Sequence, residues 1–230
     1  MTGMKRIHSF DEVFDAQKVF RLILTAMANP SRIVDIGRFA DKLYGDEPEM
    51  LAVAMTLLDN EVSFHACGGG GLSEDILSLT LSKPENMENA DYIFIADPAM
   101  LEDAISGAKC GTLEDPHKSA TLIVKTDGNG GGNSVGGGDG ERARRQREAY
   151  AEDGFGRTCG RDDSRGACIL RLSGPGIEEA VEVAAAKLVK TALDIRDRQY
   201  YEYPQGIDMI FISEGGSLFA VPRLTRKEAL

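Results

Sequence analysis

The sequence predicts an α/β fold, with a mixed and mostly parallel sheet flanked by helices in a single domain over 1-230, and three observations lead there. ADYIFIAD (Ala90 to Asp97) and ATLIVKT (Ala120 to Thr126) are short, nearly continuous apolar runs, the pattern of strands buried on both faces. Segments with helical periodicity stand before and after them. The chain closes on GIDMIFIS and SLFAVPR, two strand-like runs joined by Glu214-Gly215-Gly216, a spacing that suggests a hairpin and so an antiparallel addition to the sheet. A length of 230 residues at 42% hydrophobic content is enough for one large core.

In chain order, the first helix is expected over about 11–28, with Val13, Ala16, Phe20, Ile23 and Met27 on one face. Ser9 and Glu12 offer an S-x-x-E capping box, and Asn29-Pro30 marks the stop. PEMLAVAMTLL (Pro48 to Leu58) reads as a second helix and VSFHA (Val62 to Ala66) as a strand. After Gly68-Gly71 comes a polar stretch, and MLEDAISG follows the Ala90 strand as a short helix. ACILRLSG (Ala167 to Gly174) is a further strand. A long helix is expected over about 177–196, its stripe Ile177, Val181, Ala184, Leu188, Ala192 and Ile195. Glu178 and Glu179 at its start and Arg196 and Arg198 at its end would complement the helix dipole.

Between the strands at 120–126 and 167–174 lies a segment of different composition. Residues 127–166 hold roughly a dozen glycines, about seven arginines and almost no aliphatic side chains. It reads as a flexible insert, since too little apolar surface is available to offset its ordering entropy. Loop-closure entropy grows slowly with length, so one domain can carry it.

Charge and cysteine usage exclude several function classes. With 37 acidic against 26 basic residues, the net charge of -11 argues against coating nucleic acid or an anionic membrane. Cys67, Cys110, Cys159 and Cys168 are dispersed without a C-x-x-C, and MTGMKRIHSFDEVF is too polar for a signal peptide, so a soluble protein of the cytoplasm is expected. No apolar run approaches the roughly twenty residues of a membrane span.

No self-sufficient catalytic or metal site is legible. The glycines at 68–71 lack the Gly-Lys-Ser/Thr and G-x-G-x-x-G spacings of phosphate loops, so a plain turn is expected there. His8, His65 and His117 lie on separate segments; His65 and Cys67 share a strand face but lack further ligands for a metal. No G-x-S-x-G occurs. Charged residues within or beside apolar strands attract more attention, because burying an unpaired charge is costly. These are Arg171 in CILRLS, Asp208 in GIDMIFI and Arg223 after LFAVP, which could form a network or present a fork to a phosphate-like ligand. Arg21, beside Phe20, has the same two readings.

Five segments in order, VFRLILTAMANPSRIV, TLLDNEVSF, ATLIVKT, LRLSGPGIE and YPQGIDMIFISEGGSLFAVPRLTR, resemble the H subunit of the bacterial carbon-phosphorus lyase system. Only the 127–166 insert departs from that family, whose corresponding link is shorter. The resemblance implies a fold similar to the large domain of pyridoxal-phosphate-dependent transferases, without the cofactor. Lys125, at the end of ATLIVK, is the residue a pyridoxal enzyme would need as its Schiff-base lysine, and the family does not use one there. The resemblance further implies an accessory subunit, inactive alone, acting with the G, I and L proteins. Together they make α-D-ribose 1-methylphosphonate 5-triphosphate from ATP and methylphosphonate, before the J protein cleaves the carbon-phosphorus bond. Contacts with G and I type subunits, and a homodimer in isolation, belong to the same expectation. Two alternatives stand beside it: a small-anion binding module built on Arg171, Asp208 and Arg223, and a pyridoxal enzyme using Lys125.

Overall fold

The structure, a computed structural model, describes residues 8–126 and 167–228. The expected insert at 127–166 therefore lies outside the described residues. Among the described residues, ten strands form two sheets: β1 (Val34–Asp35), β2 (Ser63–Cys67), β3 (Lys83–Pro84), β4 (Tyr92–Ile95), β5 (Thr121–Thr126), β6 (Ala167–Ser173), β7 (Val181–Ala186), β8 (Asp208–Ser213), β9 (Ser217–Val221) and β10 (Arg226–Glu228). The larger sheet has the order β1-β9-β8-β5-β4-β2-β3. Strands β3, β2, β4, β5 and β8 run parallel, and β9 and β1 add antiparallel pairings at one side. This is the expected mixed, mostly parallel sheet.

Strict alternation decides which core each strand residue enters. In β5, Leu122 and Val124 face one side and Ile123 the other; in β8, Met209 and Phe211 oppose Ile210 and Ile212. One face is covered by α1 (Phe14–Ala28), α2 (Gly37–Ala40), α3 (Pro48–Leu57) and α4 (Leu72–Leu79), through Val19, Ile23, Phe39, Leu51 and Ile76. The other face meets α5 (Leu101–Gly107), α6 (Lys187–Arg198) and the inner side of the second sheet, through Ile105, Val189, Leu193, Leu172 and Val183. The central strands are buried on both faces, which is why their sequences read as continuous apolar runs.

The structure corrects five expectations. The first helix buries Val19, Ile23 and Ala26, whereas Val13 is 69% and Phe20 48% exposed. Its cap is Asp11, not Ser9 and Glu12: the Asp11 carboxylate accepts the N–H groups of Val13 and Phe14, and Asp15 Oδ2 accepts the Asp11 N–H. A carboxylate two residues nearer the helix than Ser9 reaches these orphan donors directly. The stop at Asn29 holds, its N–H closing on the Thr25 carbonyl.

The polar stretch after the glycines contains α4, whose Leu72 and Ile76 recur one turn apart and are buried. The expected helix over 177–196 is two elements. Val181 to Ala186 form β7, antiparallel to β6, and the helix begins only at Lys187. Glu178 and Glu179 thus precede a strand, and no acid stands in the first turn of α6, although Arg196 and Arg198 do end it. The apolar spacing fits both periods over these few residues, and Val181 and Val183 favour the strand once β6 supplies a ladder. Finally, ACILRLSG joins the second sheet, ordered β10-β6-β7, and not the mixed one.

Candidate functional site

Parallel α/β sheets place ligands beyond the carboxyl ends of their strands, where the order reverses. Here the reversal falls between β2 and β4, since β3 is added on one side of β2 while β4, β5 and β8 follow in turn on the other. Strand β2 ends in Gly68-Gly71, which turns directly into α4. Glycine is required at Gly68: φ is +76°, and a Cβ would come within 2.5 Å of Asp97 Cβ. A cavity of about 450 Å³ beside this turn is lined by Gly45, Asp46, Gly70, Gly71, Glu74 and Asp75.

Lys125 in β5 reaches the same end of the sheet, where its ammonium lies 2.8 Å from both carboxylate oxygens of Glu47 at the start of α3. Glu49, two residues on, accepts the N–H of Gly215 from the β8-β9 turn. Burial works to lower the Lys125 pKa, but Glu47, with Glu214 and Glu49 behind it, outweighs burial and holds it above the ordinary lysine value. A Schiff-base lysine needs the opposite, a neutral amine, and the pyridoxal phosphate group needs donors. The glycine turn instead meets Asp46, Glu74, Asp75 and Asp97. These residues do not fit pyridoxal phosphate.

The lysine-carboxylate pair has a definite pH window. A lysine whose folded pKa is raised contributes stability that is complete below its unfolded pKa, about 10.4, and is lost as pH rises through the folded value. The pair is therefore at full strength at neutral pH. Glu47→Ala is expected to bring the Lys125 pKa below that of the unchanged protein, because only the weaker Glu214 and Glu49 then oppose burial. An Nζ-detected NMR titration reads this directly; an unaltered titration would show that Glu47 does not govern Lys125.

At the opposite, amino ends of β5 and β8, Asp208 and Arg223 do come together. The Asp208 carboxylate accepts the Arg223 backbone N–H at 2.8 Å and its Nη2 at 2.9 Å, while Nη1 donates to the Pro116 carbonyl. Both Nη groups are engaged inside the protein. The YPQG loop is drawn in by Gly206 N–H on Cys110 O and Gln205 Nε2 on Gly111 O. Gly206, at φ +146°, brings Arg223 so close that a Cβ would lie 3.1 Å from its Cβ. Arg171 is elsewhere: it projects from the second sheet, and its Nε donates to Glu228 at 2.9 Å.

Two participants escaped sequence reasoning. Arg196, expected as a helix-end cation, is 4% exposed and donates to the Thr225 and Pro222 carbonyls, tying α6 to the closing segment. Burial lowers its pKa, with Asp197 opposing. Tyr201 is pushed up to about 12, first by burial and then by the neighbouring Cys110. Only the break in the apolar stripe at Arg196 could have signalled the first; nothing local marks the second. His65 Nδ1 lies 2.9 Å from the Glu85 carbonyl, Cys67 is buried, and no metal-type cluster occurs among the described residues.

The molecule is thus an α/β protein whose strand-end charges are largely spent on one another, with an acidic turn at the position where related architectures hold ligands. Over residues 8–228 the chain matches the model of the bacterial phosphonate metabolism protein (PhnH) family. It belongs to that family, as its five sequence segments indicated. It is also similar to HtxG of Stutzerimonas stutzeri, described as a C-P lyase subunit protein, with 24% identity over 213 residues covering 91% of this chain and 84% of that one. A role in phosphonate metabolism follows. No helix among the described residues is long and apolar enough to cross a membrane.

Proposed function

We propose that this chain is a non-catalytic subunit of the carbon-phosphorus lyase system, acting in the cytoplasm as one transferase-like domain without a cofactor. In this reading it assembles with G and I type subunits, and with the L protein supports formation of α-D-ribose 1-methylphosphonate 5-triphosphate from ATP and methylphosphonate. The J protein acts afterwards. The observation that carries the reading is the outer face of α1. Val13 at 69%, Phe14 at 66%, Phe20 at 48% and Leu24 at 54% exposure crowd a helix whose opposite face is fully packed. Val13, Phe20 and Leu24 follow the seven- and four-residue steps of a helix-helix seam. So large an apolar stripe favours association over standing in water. Alone, the chain pairs with itself.

Co-expression tests this. The chain is expected to co-purify with the G and I type subunits, and ATP plus methylphosphonate to be turned over by the assembly but not by the chain alone. Full assembly and activity of the other subunits without it would overturn the proposal.

A further inference from the structure

A sheet edge is a row of unpaired N–H and C=O groups, and proteins normally blunt it. Among the described residues the two sheets have four edges, and three of them are blunted. β1 has two residues, β3 has two including Pro84, and β10 is the three charged residues Arg226, Lys227 and Glu228. The fourth edge, β7, is six residues long, VEVAAA, with no proline and no lysine or arginine. Among the described residues no strand pairs with its outer side. Its side chains are small, so an added backbone meets little steric resistance.

We propose that β7 is a docking edge that receives an extended strand from a partner protein, rich in basic residues on one face and apolar on the other. The charges along this edge select this occupant. Glu178, Glu179 and Glu182 are all exposed along the approach to and within β7. Across the sheet, Arg171 is opposite Glu182 on one side and Glu228 on the other, and its Nε is committed to Glu228. One guanidinium between two carboxylates leaves this row net negative. A lysine or arginine on an added strand beside Glu182 would complete an alternating ladder of charges. On the other face Val183 is 6% exposed and continues the core, so the alternate residues of the partner strand must be apolar. Backbone pairing supplies affinity, and the alternating side chains supply specificity. A second copy of this chain fits less well, because antiparallel self-pairing would set Glu182 against Glu182 or Ala184 and offer it no cation.

This inference rests on the assembly reading, and the test separates the two. Hydrogen exchange is measured on the full chain alone and in the complex co-purified with G and I type subunits. Exchange over 181–186 is expected to slow by about tenfold or more in the complex. Charge reversal at Glu178→Lys with Glu179→Lys, both exposed and outside the ladder, is expected to reduce retention of the chain in the complex while leaving its circular dichroism spectrum unchanged. A complex that forms with β7 exchange unchanged would overturn the edge proposal and leave the assembly reading standing. No complex at all would overturn both. Slowing over 181–186 in a dimer of the isolated chain would make a second copy the occupant and overturn the foreign strand.

Discussion

Replacing Asp208 by alanine is expected to cost about 3 kcal/mol of folding stability, the range for breaking a largely desolvated ion pair and leaving its partner uncompensated. The side chains of Asp208 and Arg223 are 12% and 21% exposed, so water only partly screens them. Three attachments fail together in the variant. The Arg223 guanidinium loses its carboxylate, the Arg223 N–H loses its acceptor, and the strap from β9 to the Pro116 carbonyl loses its anchor. The urea midpoint of Asp208→Ala measures the loss. The double variant Asp208→Ala, Arg223→Met is expected to be less destabilised than the sum of the two single changes, because it leaves no buried charge alone. A strictly additive result would show that the two residues do not act as a pair.

Gly216→Ala is expected to be about as damaging, near 3 kcal/mol, from backbone strain and overlap combined. Gly216 sits at φ +91°, and a Cβ there would fall 2.2 Å from the Gly37 nitrogen and 2.3 Å from its Cα. Gly37 is equally confined, its own added Cβ falling 2.4 Å from Gly215 O. The Ile36 N–H donates to Gly216 O at 2.8 Å, so the hairpin cannot retreat without undoing the pairing of β1 with β9. Thermal melting of Gly216→Ala beside Ser217→Ala, an exposed neighbour, isolates the effect. Equal melting temperatures would mean that the hairpin adapts freely.

Both predictions concern segments that carried the family resemblance, and the chemistry of that resemblance differs from its first appearance. YPQGID and AVPRLTR contain the charges that looked able to grip an anion. Folding turns Asp208 and Arg223 towards each other and sends Arg171 to a different sheet. Lys125 has a similar history: an isolated lysine at a strand end suggests a nucleophile, until Glu47, 78 positions earlier, is found against it.

Local chemistry was enough for part of the molecule. Apolar runs such as YIFI and LIV identified the buried strands because burial on both faces leaves no polar position in the pattern. The Glu214-Gly215-Gly216 turn and the Asn29-Pro30 stop were legible for the same kind of reason, since glycine and proline fix their own backbone. Helical periodicity was less reliable where apolar residues are few. In 181–186 the same alanines and valines satisfy a period of 3.6 or of 2, and on α1 the large residues Val13 and Phe20 outweigh Val19 and Ala26 in any tally while lying on the outer face.

The sequence by itself determined the strand-rich α/β class, the family and the closing hairpin, because each rests on contiguous residues or on their order. Only the tertiary structure decided the second sheet, the exposed face of α1, the free edge of β7 and the partner of every strand-end charge. Those outcomes depend on which distant segment arrives alongside, and no local pattern of side chains encodes its partner.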